Sequence, residues 1–479
     1  MTAIPYQRSN TTMAGFGLCA ACLAEYETEA DRRFHAEPIA CPDCGPSPSL
    51  WDEQGQETAS GEEALQQAVV LLRQGLIVAV KGLGGFQLWV DAASEKAVQR
   101  LRDRKRRSEK PFAVLFPSID AVKDYCVLSS HEASLLCSPQ APIILARKRR
   151  DAALAEAVAP GNPYLGVMVP MTPLHHLLMA SLQHPVVATS GNRSEEPIAI
   201  DEHEALVRLK GIADALLVHD RPIARPVDDS VVLVVDRMSE SNERDETQKR
   251  KVDQMILRRA RGYVPQAICW RDDSSDKNGQ GPILAVGGHL KNTIALLTGH
   301  RVVLSQHLGD LSTVEADQAF RQAIEDLQRL LQIEPQAIAC DLHPDYRSTS
   351  FARQLATSLT VPLIPVQHHH AHVASCMAEH KLDGEVLGIA WDGAGHGGNG
   401  QVWGGEFLVA SYLGFSRFAS LKPFRLPGSE AAMRDPNRSA AAVLWELMGE
   451  EMLGHDLPSW KDMGDRRERL AILLRSGIA

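Results

Sequence analysis

The chain reads as an α/β multidomain protein with a small cysteine-bearing module in front, and three observations predict this. Two Cys-x2-Cys pairs fall within the first 50 residues. Over residues 62–265 short apolar runs alternate with helix-period segments, the pattern of an α/β domain. From residue 281 three consecutive strand-like runs lead into further strand and helix alternation up to residue 479.

At 479 residues the chain has room for about three domains, each able to bury its own core. A net charge of -10 and a pI near 6.0 argue against a general nucleic-acid binder. Aromatics at 5% leave few surfaces on which bases would stack. No apolar run approaches a membrane span, and Met1–Asn10 lacks the apolar region of a secretory signal. The expected location is the cytoplasm, with no membrane partner.

Cys19-x2-Cys22 and Cys41-x2-Cys44, eighteen residues apart, form the two knuckles of a tetrahedral Zn site. Four thiolates leave no open coordination position, so the ion is structural. A redox role is disfavoured, since neither pair opens a helix in a thioredoxin-like βαβ context. Cys126, Cys137, Cys269, Cys340 and Cys376 are scattered singly, and core packing is their default.

Residues 1–50 carry too little apolar content to fold without metal. Trp51–Gly61 reads as a polar linker. A helix-period segment from Glu62 to Arg73 and a breaker at Gly75 precede the apolar strand Leu76–Val80. Further strands are expected at Phe112–Phe116, Pro142–Ala146, Val186–Thr189, Ala215–Val218 and Ser230–Val235. Asp236–Asp253 is a charged insertion, expected as a mobile surface loop.

A second polar linker spans Arg271–Gly281. Beyond it Ile283–Val286, Thr293–Leu297 and Arg301–Ser305 read as strands, and Val314–Leu331 as an amphipathic helix. Strands at Ala337–Asp341, Pro362–Val366 and Glu385–Trp391 then alternate with helices. Three hairpin strands followed by βαβ units resemble half of an actin-like, two-lobed nucleotide-binding fold.

In this last region His368-His369-His370-Ala371-His372 precedes Asp392-Gly393-Ala394-Gly395-His396-Gly397. If the first run starts a helix, His368 and His372 stand one turn apart and can share a metal. Asp392, ending an apolar strand, would supply a hard third ligand. The glycines after it would let backbone N–H groups approach a phosphate. The competing reading is a solvated histidine patch, with His369 and His370 in packing or supporting positions.

In the middle domain Lys81-Gly82-Leu83-Gly84-Gly85-Phe86 puts an ammonium at a strand end beside bare backbone, without the spacing of a Walker A loop. Arg100–Lys110 packs seven cations into eleven residues. A solvated helix face is the usual meaning of such a run. Yet the Lys110-Pro111 boundary and the strand after it place Lys105, Arg107 and Lys110 near a strand mouth, where cations can neutralise a polyphosphate. Ser190-Gly191-Asn192 ends another strand and can hydrogen-bond phosphate or a small carboxylate; a plain turn explains it almost as well. Asp228 and Asp229 could hold Mg²⁺ or pair with Arg225, and pairing with substrate orientation is favoured.

Lys81-Gly-Leu-Gly-Gly-Phe, Lys105-x-Arg107-x-x-Lys110-Pro, Ser190-Gly-Asn192 and Asp228-Asp229-Ser together resemble the YrdC domain, which makes acyl-adenylates from ATP. Leu257-Arg258-Arg259-Ala-Arg261-Gly-Tyr-Val-Pro is similar to the segment closing that domain. Adding Asn10–Met13, Asp31–His35, Leu290-Lys-Asn-Thr293, Ser305–Asp310, the histidine run and Asp392-Gly-x-Gly, the chain resembles the HypF family. These carbamoyltransferases serve [NiFe] hydrogenase maturation.

The resemblance implies three parts: residues 1–50 as the second half of a zinc region, 62–265 as a YrdC-like domain, and 281–479 as the first lobe of an actin-like, TsaD-like domain. It implies that carbamate released from carbamoyl phosphate reacts with ATP and Mg²⁺ to give carbamoyl-adenylate. The carbamoyl group then passes to the C-terminal cysteine of a HypE-type partner for cyanide ligand synthesis. Lys81, Lys105, Arg107, Lys110, Ser190 and Asn192 would act on the triphosphate, with Arg259, Lys291, Asn292, Gly393 and Gly395 as further nucleotide contacts. His368, His372 and Asp392 would hold a divalent metal, Zn or Fe. Cys376 would pack or support them.

Family members begin with an acylphosphatase domain and carry a second lobe, so the chain is expected to be truncated at both ends. The alternatives are threonylcarbamoyl-AMP synthesis for tRNA modification, small-molecule O-carbamoyl transfer and a non-catalytic zinc scaffold. The acidic balance and the fused zinc module speak against tRNA.

Overall fold

The computed structural model describes residues 3–193, 196–236, 252–270, 281–398, 401–455, 464 and 466–476. It divides into two compact units. The first comprises Met1–Cys269, Asn278–Ile338 and Thr360–Pro362, and the second Trp270–Lys277, Ala339–Leu359 and Leu363–Ala479.

In the first unit a twelve-stranded mixed sheet carries the fold. Its middle strands, Val78–Lys81, Phe86–Asp91 and Val186–Ser190, pair antiparallel and are almost wholly buried. Their runs of Val, Ala and Leu suit strands covered on both faces. Apolar clusters lie on the two sides, one around Phe86, Leu101, Phe112 and Val187, the other around Leu72, Trp89, Leu115 and Leu178. Phe86–Asp91 and Tyr164–Met168 were not expected as strands. Each follows a glycine or proline turn that reads equally well as loop.

Trp51–Gly61 is not a linker. Pro48–Asp52 and Glu57–Ser60 form a hairpin at the sheet edge, and Pro48–Asp52 pairs with Ala215–His219. Leu50 and Ala59 are buried opposite each other, and Gly55 turns the chain at φ +84. Two inward apolar residues among polar ones suffice for an edge hairpin, and their spacing hides them in a polar stretch.

The cysteine module packs in the same unit. Arg8 donates to Phe16 O, Glu37 O and Ile39 O, and Arg221 Nε donates to Thr12 Oγ1 at 2.9 Å. Also in this unit, Ile283–Ala285, Ala295–Thr298 and Arg301–Leu304 form the expected antiparallel strands, followed by helix Val314–Leu331. Most of the Asp236–Asp253 insertion, and residues 271–280 of the second linker, lie outside the described residues.

The second unit holds helices Arg347–Leu359 and His368–His380 and the antiparallel strands Val386–His396, Val402–Ser411 and Gly414–Ser420. Val373 and Met377 of the second helix pack on Ala390, Leu408 and Ala410. Helices Pro436–Met448 and Arg466–Ser476 contribute a separate small core.

Of the five scattered cysteines, Cys126 and Cys340 are buried, whereas Cys137, Cys269 and Cys376 are exposed. The packing default fails for those three. Cys137 caps a helix end, Cys269 ends an edge strand, and Cys376 lies on the outer side of its helix.

Candidate active site

Helix Glu95–Lys105 begins at the Ser94 cap and stops at Arg106, which adopts a left-handed conformation at φ 52. That reversal splits the cation run by role. Arg104 faces outward and pairs with Asp214 at 2.6 Å. Arg102 turns inward, is 3% exposed, and donates to the carbonyls of Ala157, Val158, Arg107, Ser108 and Lys110. Its guanidinium thereby shapes the turn that carries Arg107 and Lys110.

Lys105, Arg107 and Lys110 line a cavity of about 950 Å³ together with Ser190, Asn192, Asp228, Lys291 and His307. Lys105 Nζ donates to Ser190 O, Asn192 O and Asn192 Oδ1 at 2.6, 2.7 and 2.8 Å. Ser190 Oγ donates to Asn192 Oδ1 at 2.7 Å, so the three residues form one mesh. Gly191 is required there: a Cβ would lie 2.6 Å from the Phe86 Cβ. Burial, then the charge of Arg107, pushes the Lys105 ammonium down to about 7. Burial and neighbouring cations push Arg107 down to about 10 and Lys110 below its ordinary value. Cations held so unfavourably gain most from a multivalent anion.

Several expected contacts lie elsewhere. Lys81 is buried, donates to Glu202 at 2.6 Å and His219 O at 2.9 Å, and lines a second cavity that adjoins the first through Leu83, Gly84, Val227 and Arg261. Of the glycines after it, Gly84 and Gly85 line the first cavity, and a Cβ on Gly84 would meet Val227 O at 2.3 Å. Arg259 donates to Tyr263 O and Gln266 O, while Arg258 and Arg261 line the larger cavity in its place. Asn292 is 1% exposed and donates to Val286 O and Gly288 O as a turn anchor, although its neighbour Lys291 does reach the cavity. Arg225 pairs with Asp326, not with Asp228 or Asp229; Asp229 pairs with Arg261 at 2.8 Å.

In the second unit the helix starts at His368, after Gln367 caps it by accepting from the His370 N–H. His368, His372 and Asp392 each offer a ligand atom, all within 4.8 Å of one another. Asp341, which sequence reasoning missed, accepts from His368 Nδ1 at 2.6 Å. The only signal for it is an acidic residue ending the strand Ala337–Asp341. With Nδ1 donating to Asp341, His368 Nε2 faces Asp392 Oδ2 at 3.3 Å. Two lone pairs at that separation need a cation between them or a proton on the ring, so the donor set fits a divalent metal. The hydrogen bond to Asp341, then that to Asp392, pushes the His368 imidazole up to about 9. Although its side chain reaches solvent, His372 is pushed below its ordinary value by desolvation and by His368. Burial would raise the Asp392 carboxyl, but its bonds with His368 and the Gly393 N–H hold it below the usual range.

Gly393 and Gly395 lie within strand Val386–His396 rather than in a phosphate loop. A Cβ on Gly395 would meet His369 Cε1 at 2.4 Å, so that glycine makes room for a buried imidazole. His370 contacts Ser411 O through Nε2 at 2.7 Å.

The four cysteines also converge. Cys41 Sγ lies 3.6 Å from Cys19 Sγ and 3.7 Å from Cys44 Sγ, the edge lengths of a thiolate tetrahedron around zinc. Cys19 caps helix Ala20–Glu27, without the βαβ setting of a redox pair.

Four family models match in sequence order. They are described as HypF finger over residues 18–51, Telomere recombination (Sua5, YciO and YrdC) over 70–242, and HypF Kae1-like domain over 278–379. The fourth, Carbamoyltransferase, Kae1-like Domain, second subdomain, covers 388–478. The last match differs from the expectation that 281–479 is first lobe only. A Synechocystis protein named carbamoyltransferase HypF is 46% identical over 459 residues, covering 96% of this chain and 57% of the relative. The crystal structure of a full-length HypF in a phosphate- and nucleotide-bound form superposes with TM-score 0.87 at 41% identity, over 99% of this chain and 58% of that one. For T. kodakarensis HypF the TM-score is 0.89 at 36% identity, over 100% and 61%. The chain thus spans somewhat under two thirds of these relatives. With finger, YrdC-like and Kae1-like segments in this order and identity extending through all of them, the chain belongs to the HypF family.

Proposed function

We propose that this chain forms carbamoyl-adenylate from carbamate and ATP and hands the carbamoyl group to a cysteine thiolate at the C-terminus of a HypE-type partner. Carbamoyl phosphate is the source of the carbamate. The observation that carries the reading is the Lys105, Ser190 and Asn192 mesh, with Arg107 and Lys110 beside it, in one cavity. A carbamate oxygen attacks the α-phosphorus, the bond from that phosphorus to the bridging oxygen breaks, and pyrophosphate leaves with its electron pair. The three cations oppose the charge that builds up, in a site already arranged for it. Mg²⁺ accompanies ATP, with Asp228 a carboxylate on the cavity wall that could meet it. Lys81 belongs to the support of the sheet, given its pairing with Glu202.

We assign residues 1–50 to a structural zinc module, 62–265 to adenylation and the Kae1-like region from 281 onward to transfer. His368, His372 and Asp392 would hold a zinc or iron ion there, which polarises the carbamoyl carbonyl when bound. Asp341 holds the His368 ring; the attacking sulfur comes from the partner, and as its bond to the carbamoyl carbon forms the bond from that carbon to the phosphate oxygen breaks and AMP leaves. A cytoplasmic setting suits thiols and ATP.

Pyrophosphate release from ATP with ammonium carbamate tests the first step. Release that depends on carbamate and is lost in Lys105→Ala is expected. No release from folded, zinc-loaded protein would overturn the reading.

A further inference from the structure

His175 is the third residue of helix Pro173–Leu182, where its backbone N–H is tied to the Thr172 hydroxyl at 3.1 Å. That bond fixes the helix start but does nothing for the ring. The side chain is 2% exposed and lies on the wall of the adenylation cavity. Both ring nitrogens are buried without a hydrogen-bond partner. Protein interiors rarely leave such groups unanswered.

Strand register locates the ring. Gln87 stands opposite Ser190, and Trp89 opposite Ala188, so these four side chains share one sheet face. The His175 ring packs against Trp89, with centroids 5.2 Å apart. It therefore sits two residues, or about 7 Å, further along the strands than the Ser190 turn. In the row of Trp89 the cavity wall is small, formed by Ala188 and Gly166. Beside it Gln87 donates to Asp229, and Asp229 pairs with Arg261, which leaves these polar groups already engaged.

We infer that His175 reads the amino end of the carboxylate that is adenylated, selecting unsubstituted carbamate over N-substituted carbamates. The inference rests on the adenylation reading above. A neutral imidazole offers one lone pair and one N–H. These two groups point to opposite sides of the ring, so carbamate meets one of them: its N–H donates to the ring's lone pair, on a body short enough to keep a carboxylate oxygen at the α-phosphate. An alkyl group on the carbamate nitrogen would displace one hydrogen bond and meet the ring. Burial pushes the imidazole down to about 4, so it is neutral at physiological pH. Its chemical character is thus that of a fixed neutral selector.

ATP–pyrophosphate exchange by the zinc-loaded chain, with ammonium carbamate or with threonine plus bicarbonate, tests this. His175→Leu keeps the volume but removes the polar atoms, and should raise the carbamate KM at least about tenfold with the ATP KM within about twofold. His175→Gln restores a donor and an acceptor and should recover most of that loss. His175→Ala opens space and should raise exchange with threonine plus bicarbonate relative to carbamate by about fivefold or more. Thermal melting and zinc content identify any variant that fails to fold, and the leucine and glutamine variants then decide the matter.

A carbamate KM equal to wild type in both the leucine and alanine variants would show a packing residue and overturn the inference. A rise in the ATP KM alone would show that the ring reads the nucleotide and would also overturn it. Absence of exchange in the wild type sinks the adenylation reading and this inference with it. Wild-type exchange with indifferent variants sinks the inference alone.

Discussion

His368 Nδ1 donates to Asp341 Oδ2 across 2.6 Å, and the other Asp341 oxygen accepts from the His343 N–H at 2.8 Å. The carboxylate is held at both oxygens, so the ring it orients cannot easily turn. Replacing Asp341 with Ala should weaken Zn²⁺ binding at His368, His372 and Asp392 by about 10–100-fold. Equilibrium dialysis of the histidine-site metal, with the finger zinc counted separately, measures it. Asp341→Asn, which keeps one acceptor, should lose less.

Lys105 links nucleotide affinity to pH. The free protein holds its ammonium down to about 7, whereas a bound polyphosphate favours the charged form. Below that value Lys105 is charged with or without ligand, and its contribution is flat. Above it, binding must take up a proton, so affinity should fall by up to about tenfold per pH unit until the bound-state pKa is reached. Calorimetric titration of ATP in buffers of different ionisation enthalpy should detect that proton uptake, and Lys105→Ala should abolish it.

Arg102 should matter as much for the site as for stability. Replacing it with Leu leaves five carbonyls short of a donor, so a loss of about 3–5 kcal/mol in chemical denaturation is expected. ATP affinity should fall too, because the turn bearing Arg107 and Lys110 loses its anchor. Arg102→Lys rescues little, as one ammonium cannot span those positions.

Lys81→Met should behave oppositely. It leaves Glu202 and His219 O without their shared donor, at a cost of about 1–3 kcal/mol. ATP affinity should be unchanged when measured below the melting transition. A large loss of affinity would return Lys81 to the nucleotide site.

Zinc removal should act locally. Cys41→Ser removes a thiolate that lies 3.6 Å from Cys19 and 3.7 Å from Cys44, so the finger should lose its ion. Limited proteolysis should then cut within residues 1–47 while the twelve-stranded sheet resists.

Much of the architecture is legible because its signals are local. CxxC spacing brings thiolates together within a turn, and helix Val314–Leu331 and strand Ala337–Asp341 follow from periodicity with matching boundaries. His368 and His372 lie one turn apart in any helix, and Lys105, Arg107 and Lys110 are gathered at a single helix end and the turn after it. These are properties of a few consecutive residues, and the sequence by itself determines them.

Side-chain partners far apart in the chain are another matter. Nothing near Lys81 announces Glu202, nothing near His368 announces Asp341, and nothing near Trp89 announces His175. The hairpin of Pro48–Asp52 and Glu57–Ser60 is held where Ala215–His219 offers an open edge. Which cation meets a ligand, and which is taken up by a carboxylate, depends on long-range sheet register and on burial. Only the tertiary structure decided that Lys105 stands in the cavity and Lys81 in the support, because desolvation makes each buried charge take the partner that folding brings within hydrogen-bond reach.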